Sequence, residues 1–179
     1  ERLAAMQHWW EDNAKFVYAA IAAFVLSVAG WMGWQYWSAT QAADAAAMAA
    51  EVNKVRTDAK RAGELAQAVI DKHPRSFFAS EAALVSAQAS FEAGDLATAQ
   101  SRLEWVMKSG REEHRGIARV RLAAVLLDLK KPAEALQVLD GNKDEAWAAM
   151  VADLRGDILF TQGRLDEARR HSAQAEVLA

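Results

Sequence analysis

The sequence predicts an all-α protein in which a single N-terminal transmembrane helix leads into a solenoid of helical repeats. Three observations carry this reading: an uncharged apolar run from Phe16 to Trp37, an alanine-rich chain with only two prolines, and a turn pattern that recurs along the C-terminal part. Apolar residues make up 53% of the 179 residues, yet mean hydropathy is near zero, so the apolar residues are concentrated locally and a polytopic membrane protein is excluded. The formal charge is −3 and no basic block exists, which leaves nothing to attract the phosphate backbone of a nucleic acid. Cysteine is absent, so the chain has no disulfide, thiolate nucleophile or zinc-thiolate site.

The run from Phe16 to Trp37 holds twenty-two residues without a charge. At 1.5 Å per residue a helix of that length covers about 33 Å, which matches the ~30 Å hydrocarbon core of the lipid bilayer. Aromatic residues crowd both ends, with Trp9 and Trp10 before the run and Trp31, Trp34, Tyr36 and Trp37 toward its end. Such rings suit the headgroup level, where one edge stays wet. A buried core helix seldom runs so long without a polar face. A signal peptide would have a shorter apolar region followed by small residues, and here Trp-Gln-Tyr-Trp follows instead. Residues 1–15 then form a cytoplasmic segment and 16–37 the span, because Arg2 and Lys15 precede the span while the first basic residue after it is Lys54. Within the span, Ala29, Gly30 and Gly33 supply a small-residue stripe against which a second membrane helix can pack closely.

After Trp37 no Pro or Gly occurs until Gly63, which predicts a helical stalk over 38–60 and a repeat domain over 61–179. Four segments align: AGELAQA from Ala62, AGDLATA from Ala93, LKKPAEA from Leu129 and QGRLDEA from Gln162. Their turn residues, Gly63, Gly94, Lys130 and Gly163, are separated by 31, 36 and 33 residues. That is the period of the tetratricopeptide helix–turn–helix unit, about 34 residues. Glycine at the turn accepts the left-handed conformation that ends the first helix. The Ala five residues later (Ala68, Ala99, Ala135, Ala168) marks a close helix–helix contact, as do Ala87, Ala123 and Gly156 before the turns. Phe91, Leu127 and Phe160 are expected to fill the space between repeats.

Catalytic chemistry finds no support. The four histidines are scattered, and no phosphate loop, nucleophile elbow or zincin motif is present. Glu112, Glu113 and His114 read as a solvated connector between repeats. No cofactor is expected. Repeat arrays work by presenting a surface to a partner, and the first helices would offer Leu84, Gln88, Val120, Ala124, Asp153 and Asp157. An apolar strip with an acidic end suits a helix or an extended hydrophobic segment, and it lacks the Lys/Asn-rich lining of a carboxylate clamp. The same apolar residues could equally be repeat core.

Two stretches, GWQYW (Gly33 to Trp37) and WAAMVADLRGDIL (Trp147 to Leu159), together with RLAAVLLDLKKPAEALQVLD (Arg121 to Asp140), resemble the YfgM family of ancillary subunits of the bacterial SecYEG translocon. The resemblance covers nearly the whole chain in order, departing where Ala179 follows soon after the last repeat and leaves little room for a terminal capping helix. It implies a bacterial inner-membrane protein with a cytoplasmic N-terminus and periplasmic repeats. It also implies a non-enzymatic accessory of the SecYEG translocon that scaffolds a PpiD-like membrane-anchored periplasmic chaperone and helps to hand over unfolded secretory proteins. The alternative is a membrane-anchored periplasmic adaptor for envelope assembly that never touches the translocon. Trp147, Asp153, Arg155 and Asp157 match the family motif as partner-binding candidates. Arg155, flanked by Asp153 and Asp157, reads equally as an ion-paired structural element.

Replacing Leu26 with Arg places a charge near the bilayer centre at a cost of about 2.5–3.5 kcal/mol on insertion scales. Carbonate extraction of membranes is expected to release more of the variant than of the parent, and unchanged retention would locate the tether elsewhere.

Overall fold

The computed structural model describes residues 2–142 and 144–178, with the side chains of residues 2–9, 11 and 12 excepted, so the expectation for Trp9 lies outside the described residues. Among the described residues the chain is helical throughout: α1 (Arg2–Lys54), α2 (Ala59–Lys72), α3 (Phe77–Glu92), α4 (Leu96–Ser109), α5 (Glu112–Asp128), α6 (Pro132–Asp140), a 3₁₀ turn (Glu145–Trp147), α7 (Ala148–Thr161) and α8 (Leu165–Leu178). The chain forms two compact units, Glu1–Ala43 and Asp44–Ala179.

In the first unit the apolar run from Phe16 to Trp37 is helical and almost wholly exposed. This is the one helix among the described residues long and apolar enough to cross a membrane. Midway along it the Ser27 hydroxyl donates back to the Ala23 carbonyl at 2.8 Å, so this polar group is satisfied without water.

The second unit begins where a stalk was expected. From Asp44 onward α1 buries Ala45, Ala49 and Val52 completely or nearly so, with Met48 and Val55 packed on the same core. Spacings of four and three residues put these side chains on one helical face. The helix stops at Lys54 and Asp58 caps α2, its carboxylate accepting from the Arg61 N–H at 3.0 Å. Residues 44–54 are therefore the first helix of the first repeat, and the stalk assignment over 38–60 is corrected. The turn expected near Gly63 is corrected with it, because Gly63 lies inside α2. There its carbonyl accepts from Arg102 Nη2 at 3.2 Å, and Ser86 Oγ would be in ordinary contact with a Cβ at 3.7 Å.

The other three turns share one device. At each, the residue in the left-handed region is Gly94 (φ 79°), Lys130 (φ 61°) or Gly163 (φ 76°). The next N–H then reaches back across the helix end, from Asp95 to Ser90, Lys131 to Leu126 and Arg164 to Leu159, at 2.8–3.0 Å. These are Schellman closures, which satisfy the orphan carbonyls at the helix C-terminus. The following helix starts at a fixed offset. Ala99, Ala135 and Ala168 bond back to the carbonyls of Asp95, Lys131 and Arg164, and Ala62 does the same to Asp58. All four alanines are buried, whereas Ala68 is exposed. The small contact residue of the first repeat is thus Ala62 and not Ala68.

Packing follows the pattern of a solenoid. Each helix from α2 to α6 packs on the next, α6 on α7 and α7 on α8, while α3 also touches α5 and α5 touches α7. First helices of successive repeats therefore line up beside one another. Phe91 and Leu127 sit against the core as expected. Phe160 does not: it is 65% exposed.

Asp44 fastens the first repeat. Its Oδ2 lies 2.6 Å from Nε2 of the buried His73 and 2.8 Å from Lys72 Nζ at the end of α2. Hydrogen bonds from Lys72 and then His73 hold the Asp44 carboxyl below its ordinary range.

Ala99→Leu forces bulk into a filled contact and is expected to cost ~1–3 kcal/mol, while Ala68→Leu on the exposed face of α2 costs little. Thermal melts of the fragment 44–179 check this, and equal tolerance at the two positions would contradict the register. Because the folded-state pKa of Asp44 is depressed, its stabilisation is present above the ordinary carboxylate range, about pH 4, and is lost as pH falls through the lowered value. The melting-temperature gap between the parent fragment and Asp44→Asn is thus expected to be open at neutral pH and to close in strong acid.

Candidate partner-binding groove

The groove lies where the first helices meet. A cleft of ≈ 200 Å³ is lined by Ala87, Gln88 and Phe91 of α3, Leu103 of α4, and Arg121, Ala124 and Val125 of α5. A second hollow of ≈ 460 Å³ shares Gln88 and Arg121 with it and adds Asn53, Arg56, Thr57, Val85 and Glu92. Val85, Gln88 and Glu92 stand three and four residues apart, a single stripe on α3. Arg121, Ala124 and Val125 form the facing stripe on α5.

Helical phase decides which expected residues belong here. Gln88 and Ala124 do. Leu84 and Val120 do not: at 8% and 6% exposure they are core, and their assignment to a binding surface is corrected. One residue along a helix is a rotation of about 100°, so the neighbours Val85 and Arg121 face the groove instead. Asn53, Arg56, Glu92 and Arg121 were missed because the stretch holding Asn53 and Arg56 had been assigned to a stalk and because the stripe was read one residue out of phase.

The groove is therefore basic as well as apolar. Gln88 Nε2 donates to Glu92 Oε1 at 2.7 Å. Arg121 is half-buried, and desolvation pushes its pKa down. Its guanidinium makes no hydrogen bond or ion pair with any described residue.

The Trp147–Asp157 motif lies apart from the groove. The Trp147 indole covers Gly116 of α5 so closely that a Cβ there would collide with the ring. Trp147 is thus a latch between the third and fourth repeats. Arg155 does not pair with Asp153 or Asp157, which are both exposed; its Nη2 bonds Asp140 Oδ1 on α6 at 2.6 Å. Residues two apart point to different sides of a helix, so the flanking carboxylates face elsewhere. The expected connector of Glu112, Glu113 and His114 is corrected, because these residues form the first turn of α5. There Arg111 pairs with Glu113 at 3.2 Å, and the His114 ring lies tilted against Phe77 at 4.4 Å, its pKa lowered mainly by burial. Among the described residues no cluster of three or more His, Asp or Glu could hold a metal ion.

On the apolar helix, Trp10, Trp31, Trp34, Tyr36 and Trp37 are all exposed. Trp10 meets Tyr18 edge-on at 6.0 Å, and the Trp34 and Trp37 rings lie 5.2 Å apart. Ala29 is exposed, and Gly30 and Gly33 have open space where a Cβ would stand.

Known proteins match along nearly the whole chain. A protein of Neisseria gonorrhoeae named ancillary SecYEG translocon subunit is 28% identical over 98% of this chain and 86% of its own length. Proteins of the same name from Escherichia coli and Aggregatibacter actinomycetemcomitans are 29% and 28% identical, covering 94% and 98% of this chain and 82% and 87% of theirs. The resemblance to the YfgM family is thereby borne out. No solved structure matches the chain. A family model described as a tetratricopeptide repeat-like domain matches residues 7–176, so the chain belongs to that family, as a membrane-anchored and non-catalytic member.

Proposed function

We propose that this protein is an ancillary subunit of the SecYEG translocon in a bacterial inner membrane, with its N-terminus in the cytoplasm and its repeats in the periplasm. The observation that carries this reading is the near-full-length similarity, anchor and repeats in one order, to proteins of that name. Arg2 and Lys15 before the span, with no basic residue after it until Lys54, support the orientation. The repeat domain scaffolds a PpiD-like membrane-anchored chaperone and assists the hand-over of unfolded secretory proteins as they leave the channel. Support for this finer role comes from the open groove on the first helices. The open stripe of Ala29, Gly30 and Gly33 offers the membrane helix a face for close packing.

Co-purification of the full chain in mild detergent tests the reading. Channel subunits are expected with the parent protein and in reduced amount with the Ala29→Ile, Gly33→Ile double variant, whose repeat domain keeps its melting temperature. A parent protein that brings envelope proteins but no channel would establish the translocon-independent adaptor instead. Full recovery with the double variant would move the contact to another face of the helix.

A further inference from the structure

The least satisfied group in the groove is Arg121. Its side chain is half removed from water among Phe91, Ala124 and Val125, and its charge has no counter-ion among the described residues. Partly desolvating a guanidinium without a partner costs free energy that a bound carboxylate returns. Arg56 faces the adjoining hollow and forms no ion pair with any described residue, so two cations flank the space where the hollows join. The single carboxylate of that lining, Glu92, is engaged by Gln88 and forms no ion pair with either arginine. Beside the charge, the cleft of ≈ 200 Å³ is walled by Ala87, Phe91, Leu103, Ala124 and Val125, room for one bulky side chain.

We propose that this groove binds an extended segment of a partner protein through an Asp or Glu side chain on Arg121 and a neighbouring large apolar side chain in the cleft. Electrostatic complementarity selects the occupant: an apolar segment alone would leave Arg121 desolvated and unpaired, and a basic segment would meet like charge from Arg121 and Arg56. Planar bidentate pairing to a carboxylate is the geometry that a guanidinium favours. The groove also revises the apolar strip with an acidic end expected from the sequence. This inference goes beyond the translocon reading and does not depend on it, because a repeat domain serving any partner would carry the same groove.

The test uses the full chain in zwitterionic lipid nanodiscs, with empty nanodiscs as the blank. Fluorescein-labelled peptides of Phe-Ser-Asp repeats are followed by anisotropy beside Phe-Ser-Asn, Ser-Ser-Asp and Phe-Ser-Lys peptides. Saturable binding of the Phe-Ser-Asp peptide is expected, weakening as salt rises and weaker by roughly tenfold when Asn replaces Asp or Ser replaces Phe, the scale of one charged contact or one buried side chain. Arg121→Gln is expected to erase the preference for Asp over Asn, and Arg121→Lys to retain part of it. Glu92→Gln, on an exposed residue, is expected to tighten the Asp peptide and leave the Asn peptide unchanged. Absence of saturable binding, equal binding of the Lys peptide, or an Asp preference that survives Arg121→Gln would overturn the proposal. Should circular dichroism show Arg121→Gln unfolded, Glu92→Gln decides, and no tightening there overturns it as well.

Discussion

Each hairpin of the repeat domain depends on how closely its two helices approach, and that approach is set by residues without bulk. Ala62, Ala99, Ala135 and Ala168 occupy one position after four successive helix starts and are all buried. On the first helices Ala49, Ala87, Ala123 and Gly156 are buried in turn, and a Cβ at Gly156 would stand 2.9 Å from Ser172 Oγ and 3.3 Å from the Ala168 carbonyl. Alanine contributes little transfer free energy by itself. Its value is geometric, because close backbones let the larger Val52, Val69, Leu103, Val106, Leu139 and Ile158 fill the remaining volume to the density of a core. The same tightness fixes helical phase. A hairpin that cannot slide cannot rotate a groove residue into the core.

Phase in turn decides the chemistry of the groove. On α3 and α5, a rotation of one residue separates Leu84 from Val85 and Val120 from Arg121, and with it core from binding surface. Arg121 sits at the boundary, half-buried and lining the apolar cleft, a position that suits a side chain with an aliphatic stem and a charged head. Arg102 shows the contrasting case on the second helices. It too is half-buried and its pKa is lowered mainly by burial, but Gln67 and the Gly63 carbonyl accept its N–H groups. One arginine joins two repeats and the other is left without a partner. That difference in satisfaction, at similar burial, separates a structural cation from a candidate ligand-binding one.

How much of this was legible in the sequence depended on whether a local residue type or a helical phase had to be read. The apolar run, the alanines after Gly94, Lys130 and Gly163, and the left-handed turns themselves were legible, because glycine and small residues carry their geometry wherever they occur. Lys130 was legible only by alignment, since its side chain gives no sign of a left-handed backbone. The first turn was missed for the converse reason. It closes without glycine, through Val55 to Asp58, and the sequence offered Gly63 as a decoy whose role is to sit beneath Arg102. The latch of Trp147 over Gly116 and the pairing of Arg155 with Asp140 join residues far apart along the chain, which no periodicity reveals.

A groove of this size cannot supply very tight binding, and a membrane-anchored protein has no need of it. One cleft that takes a single side chain and one charged contact together offset only part of the entropy lost when an extended segment is ordered. Anchoring changes the comparison, because a partner held in the same membrane meets the groove at an effective concentration far above that of free solution. Weak contacts then suffice for occupancy and still permit rapid release. The specificity of such a site rests on the unpaired charge of Arg121 more than on area. A wrong occupant leaves that charge partly desolvated and without a counter-ion, and this penalty acts however many apolar contacts the occupant makes.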